Sequence, residues 1–160
     1  MTIAAFLAAT DVPAGPWPAV VSAPIVVIVG DAVRRTAAGY RVLAALALAD
    51  PARPLVPLAS AADWPFDQAL GLPTPLPANT VVWAPDLHEA FVDAQTNATR
   101  LVTTQPLFVL EAWRARLEAV RQVIALVPET LAAVDGALLG PLRAQWLPAD
   151  GAPGAGIEAG

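Results

Sequence analysis

The chain has no cysteine and no lysine, a single histidine, and only two serines among its 160 residues. Absent cysteine excludes disulfides, thiolate zinc sites and cysteine nucleophiles, and fits a reducing cytoplasm. Absent lysine excludes a phosphate-loop lysine, a Schiff base and a lysine general base. All nine basic residues are arginine, the bias of a GC-rich genome. The two serines, Ser22 and Ser60, lie in no nucleophile-elbow motif, so no Ser/His/Asp triad is arguable.

Positive charge is scarce as well. A formal net charge of −5 gives no general attraction to nucleic acid or anionic lipid, and there is no basic arm or polybasic anchor. Long hydrophobic runs are missing even though 56% of the residues are apolar. The block from Ile25 to Val29 falls far short of the ~20 residues that cross a bilayer. The opening MTIAAFLAATD carries no positive charge ahead of its apolar patch, so no signal peptide and a cytoplasmic location are expected. The apolar excess, with a mean hydropathy of +0.56, predicts surface reserved for a protein partner or for self-association.

What is present is an alternation of short apolar blocks with helical patterns. Residues 1–23 read as a short helix at Thr2 to Ala9 and a Pro/Gly linker, an appendage to the core. In 24–147, strands are predicted at Pro24–Val29, Arg53–Leu58, Thr80–Trp83, Arg100–Thr103 and Val123–Val127. The first and third are apolar without alternation, as in strands covered on both faces; the prolines of the second argue for an edge. Helices are predicted at Thr36–Ala49, which is apolar nearly all round, at Ala61–Leu70, Leu87–Ala98 and Leu107–Val120, and from Glu129 to Trp146 with a break at Gly140-Pro141. Residues 148–160 read as a disordered tail. The pattern implies one α/β domain, a three-layer parallel sheet of about five strands flanked by helices.

Three stretches in this order, PIVVIVGDAVRRTAAGYRVLAALA, TVVWAPDLHEAFVDAQ and RLVTTQPLFVLEAWRARLEAVRQVIALVP, resemble the ATPase core of AAA+ proteins, most nearly the sigma-54-activator type. The resemblance covers about residues 24–130 and implies a P-loop NTPase-like fold. No helical lid, sigma-contacting loop or helix-turn-helix segment accompanies it.

The departures concern chemistry. A phosphate loop, G-x-x-x-x-G-K-[ST], needs glycines so that backbone N–H groups can close on phosphates, a lysine for the β and γ oxygens and a hydroxyl for magnesium. Counted from Gly30, the second glycine falls on Arg35, the lysine on Thr36 and the hydroxyl on Ala37. A loop one residue shorter places Arg34, Arg35 and Thr36 there, and either way the second glycine is lost. Where the resemblance implies an acidic pair, Ala84-Pro85-Asp86 keeps at most one acid. The polar sensor position falls on Thr103 or Thr104. Residues that could still meet a nucleotide or anion are therefore Gly30, Arg34, Arg35, Thr36, Asp86 and Thr103.

The expectation is a pseudo-ATPase: no catalytic residues, no metal and no cofactor, working as an interaction, scaffold or regulatory module. The alternatives are a module that senses an anion through Arg34, Arg35 and the Gly30 turn without hydrolysis, and a weak NTPase using Arg35 and Asp86. His88 is read as a capping or surface residue rather than a metal or acid/base group, because Asp86 and Glu89 do not gather with it on one helical face; Asp86 is the expected N-cap. Asp63-Trp64-Pro65-Phe66 is either a contact patch or a capped helix start with core aromatics. Asn97-Ala98-Thr99 matches a glycosylation acceptor, but without a secretory signal the match is set aside.

Overall fold

The computed structural model describes residues 1–10, 15–18, 21–60, 63–64, 66–67, 72–90, 106–128, 144–149 and 157–158. Its elements are α1 (Ile3–Thr10), β1 (Ile25–Val29), α2 (Ala32–Ala49), β2 (Leu55–Pro57), β3 (Phe66–Asp67), β4 (Leu72–Pro73), β5 (Val81–Ala84), α3 (Pro106–Ala119), β6 (Gln122–Val127), β7 (Ala144–Pro148) and β8 (Ile157–Glu158). A helical turn at 87–90 follows β5.

The expected α/β class is present. One sheet runs β2-β5-β6-β1-β7-β8, the first five strands parallel and β8 antiparallel to β7. The β1 residues are β-branched at every position, and the strand is hydrogen-bonded on both sides, to β6 and to β7. Such a run suits a sheet interior, where both faces are covered. β2 takes the edge that its prolines require. The first parallel strand lies between the fourth and fifth, an order unlike that of dinucleotide-binding or flavodoxin-like sheets.

Topology decides the layers. The chain leaves β1 for the β2 edge and then travels back through β5 and β6, so right-handed crossovers put α2 and α3 on opposite faces. Alternate strand residues divide accordingly. Val26, Ile28, Trp83, Ile124 and Leu126 meet Val42, Leu43 and Leu46 of α2, and Ile25, Val27, Val82, Val123 and Ala125 meet Trp113, Leu117 and Val120 of the α3 layer.

On the α2 face the approach is close. A Cβ added to Gly39 would lie 2.5 Å from Trp83 Cη2 and 2.8 Å from its Cζ3, so glycine is what lets the helix settle onto that indole. Tyr40 stacks on Trp83 with centroids 5.4 Å apart, and Phe6 of α1 completes the aromatic group.

Several expectations are corrected. α2 starts at Ala32, and it is not buried all round: Val33 and Leu48 are among the most exposed large apolar residues. Its alanines reflect helix propensity more than burial. The opening segment is no appendage, because Ile3 and Trp17 are buried in the α2-side core and the 1–3 segment bonds to the β2 edge. The end of the last predicted helix, from Ala144 onwards, is instead β7, and Ile157–Glu158 of the predicted tail forms β8. Within the weak helix expected at Ala61–Leu70, Phe66–Asp67 forms β3, paired antiparallel with β4. The strand predicted at Arg100–Thr103 lies outside the described residues, among which 123–127 falls in the fourth parallel strand. Of the helix predicted at Leu87–Ala98, only the turn at 87–90 falls within them.

Candidate functional site

In a parallel sheet the strand ends that carry function lie along one edge. Here β1 runs out into Gly30, β5 into Pro85 and Asp86, β6 into Pro128 and β7 into Ala149.

The end of β1 is held from both sides. Gly30 N–H donates to the Val127 carbonyl at 3.2 Å, and Ala149 N–H donates to the Val29 carbonyl at 2.8 Å. A Cβ on Gly30 would collide with the Ala149 Cβ. The glycine therefore admits the chain after β7, and that methyl group fills the inside of the turn.

Asp31 then caps α2. Its backbone is extended (φ −68°, ψ 162°), and its Oδ1 accepts from Arg34 N–H at 3.0 Å, the usual means of satisfying a first-turn donor. Its other oxygen, Oδ2, lies 3.4 Å from Arg34 Nε, both side chains being well exposed. Arg35 turns back and donates from Nη1 to the Gly30 carbonyl at 3.0 Å. Thr36 donates its hydroxyl to the Ala32 carbonyl at 2.7 Å, four residues back along the helix.

Gly30, Arg34, Arg35 and Thr36 thus form one local constellation, brought together by the β1-to-α2 junction. Asp86 lies on the same edge two strands away, about 10 Å at ordinary strand spacing. It occupies the N-cap position of the 87–90 turn, where its carbonyl accepts from Ala90 N–H at 3.1 Å. Thr103 lies outside the described residues.

His88, expected at the surface or as a cap, is instead buried at 6% exposure, and its Nδ1 has no hydrogen-bond partner. The turn at 87–90 places it between Leu87 and Ala90, which both face the α3-side core. Of the two readings of Asp63-Trp64, the core role is the observed one for the indole: Trp64 is buried and lies 5.0 Å from the Trp113 ring, centroid to centroid. Asp63 Oδ2 accepts from Ser60 N–H at 3.0 Å, and Asp63 N–H returns a bond to the Ser60 carbonyl.

Two residues central to this junction were not singled out by sequence. Asp31 carried a readable signal, an acid just ahead of a helical pattern. Ala149 carried none, since it arrives from a strand that the pattern did not reveal. Among the described residues, no group of three or more His, Asp or Glu is placed to hold a metal ion, and no helix is long and apolar enough to cross a membrane.

Comparison with protein-family models, curated proteins and solved structures gives no significant match to this chain.

Proposed function

We propose that this chain is a non-catalytic relative of the AAA+ ATPase core, a pseudo-ATPase domain that acts in the cytoplasm through contact with a protein partner or a second copy. A central first strand followed by a glycine turn and a capped helix supports the kinship, because that strand-turn-helix arrangement is the setting of a phosphate loop.

One observation carries the loss of chemistry. At the helix N-terminus, where a phosphate would be drawn by free N–H groups and the dipole, the Asp31 carboxylate already accepts from Arg34 N–H. An incoming phosphate would meet like charge there, a repulsion of about 1 to 4 kcal/mol per charge pair at 4 Å for effective dielectrics from water down to ~20. The cation nearest the lysine position, Arg35, is directed at the Gly30 carbonyl.

Among the described residues, two buried clusters, one on each face of the sheet, take apolar side chains inward, and the large apolar side chains left exposed are Met1, Val33 and Leu48. Val33 and Leu48 both lie on α2, which makes the outer surface of that helix the contact region favoured by this reading.

Calorimetry with magnesium-ATP, paired with light scattering, tests the proposal. The expected outcome is no magnesium-dependent nucleotide binding, with a particle mass above the 16.5 kDa of one chain or co-purification of a stoichiometric partner. Micromolar, magnesium-dependent ATP binding would overturn it.

A further inference from the structure

Beside α2, next to the end of β1, lies an open depression of about 370 Å³ lined by Arg34, Ala37, Ala38, Arg41 and Ala149. Its size falls within the range of small-molecule sites. The room exists because three of the five lining residues end at a methyl group. The two long cations stand seven positions apart on one helix, about two turns and ~10 Å along its axis, on the same side.

Arg41 is held in place. Its guanidinium carbon lies 5.3 Å from the centroid of the Trp17 ring. Trp17 is buried, and its backbone N–H donates to the Arg41 carbonyl at 2.9 Å. An aromatic face orients a guanidinium without consuming any of its five N–H donors. Arg34 pairs with Asp31 and Arg53 with Asp50, whereas no ion pair among the described residues engages Arg41. In a chain with 14 acidic and nine basic side chains, an oriented cation without a carboxylate against it is conspicuous. Arg34 is paired only across 3.4 Å between side chains 71% and 58% exposed, a contact weak enough to be exchanged.

We propose that this depression binds a small polyanion of the pyrophosphate class, with Arg41 gripping one phosphoryl group and Arg34 leaving Asp31 to close on the other. The site adjoins Val33 on α2, and its ligand follows from the two arginines without recourse to the protein-contact role. Guanidinium forks match phosphoryl oxygens in pairs, so the two arginines suit a ligand with two charged groups better than a single one.

The test is calorimetric titration of the full chain with pyrophosphate at low ionic strength, repeated as salt is raised. Wild type is expected to bind, and to bind more weakly with salt. Arg41→Ala is expected to weaken binding about tenfold or more, the loss of a charge-assisted bond. Should that variant not fold, Ala37→Leu decides: at this exposed helical position leucine is compatible with the helix, keeps both cations and fills the depression, and it is expected to weaken binding similarly. Arg35→Ala should stay within about twofold of wild type, because its guanidinium is already engaged at Gly30. Absence of binding by wild type, wild-type affinity in both Arg41→Ala and Ala37→Leu, or a loss confined to Arg35→Ala would each overturn the proposal.

Discussion

The two faces of the sheet are built to different standards. On the α2 face the helix comes down onto Trp83 through Gly39, three aromatic rings interlock, and contacts are close enough that a single methyl group has no room. On the α3 face, Trp64 and Trp146 carry buried ring nitrogens without hydrogen-bond partners. Close packing makes one face intolerant of change, whereas unpaired polar atoms, each costing roughly 1–3 kcal/mol, leave the other with stability to gain. The β1-to-α2 junction belongs to the α2 layer, so the candidate site sits on the face where Gly39 meets Trp83.

Substitutions sharpen this contrast, and the largest effect is expected at Trp83. Trp83→Ala should cost about 3–5 kcal/mol in chemical denaturation, since it opens a cavity beneath α2; a loss under ~1 kcal/mol would erase the distinction between the faces. Gly39→Ala should cost about 1–2 kcal/mol, overpacking outweighing the gain in helix propensity. That cost should shrink by ~1 kcal/mol or more in a Trp83→Leu background, a coupling read from the double-mutant cycle. Asp31→Ala should cost about 1 kcal/mol by removing the α2 cap, measured by thermal and urea unfolding together. On the opposite face, Trp146→Phe should fall within ~1 kcal/mol of neutral or be stabilising, because it removes an unpaired N–H along with some packing; a loss above ~2 kcal/mol would show that this face is as exacting as the other.

The strands that could be read from sequence are those whose side chains report their surroundings. IVVIV, TVVW and VIALV are β-branched or apolar on consecutive residues, and β1, β5 and β6 sit inside the sheet as that pattern requires. β7 was not legible. Ala144, Gln145 and Leu147 are good helix formers, yet this segment pairs along the whole of β1, from Ile25 opposite Ala144 to Val29 opposite Pro148. An interior strand needs partners on both sides, and that demand overrides local preference. Trp17 was missed for a related reason. A Pro/Gly stretch reads as linker, and nothing local reveals that its indole is seated in the core beneath Arg41. At the β1 junction the identities of Gly30, Arg34, Arg35 and Thr36 were legible and their bonds were not. Arg35 reaching Gly30, and Ala149 closing on it, depend on where a distant strand ends.

The sheet margin at β2 has a consequence for how the molecule comes together. Leu55 N–H donates to the Met1 carbonyl, Ile3 N–H donates to the Arg53 carbonyl, and Thr2 bridges Pro54. The outermost strand is thus sheathed by residues 1–3, which lie about fifty positions from it in sequence. Until that late clasp closes, a bare row of amides and carbonyls is open to templating by a neighbouring molecule. Shortening the chain by its first few residues would leave that row uncovered permanently, and the outcome to look for is stacking of folded molecules edge to edge rather than their unfolding.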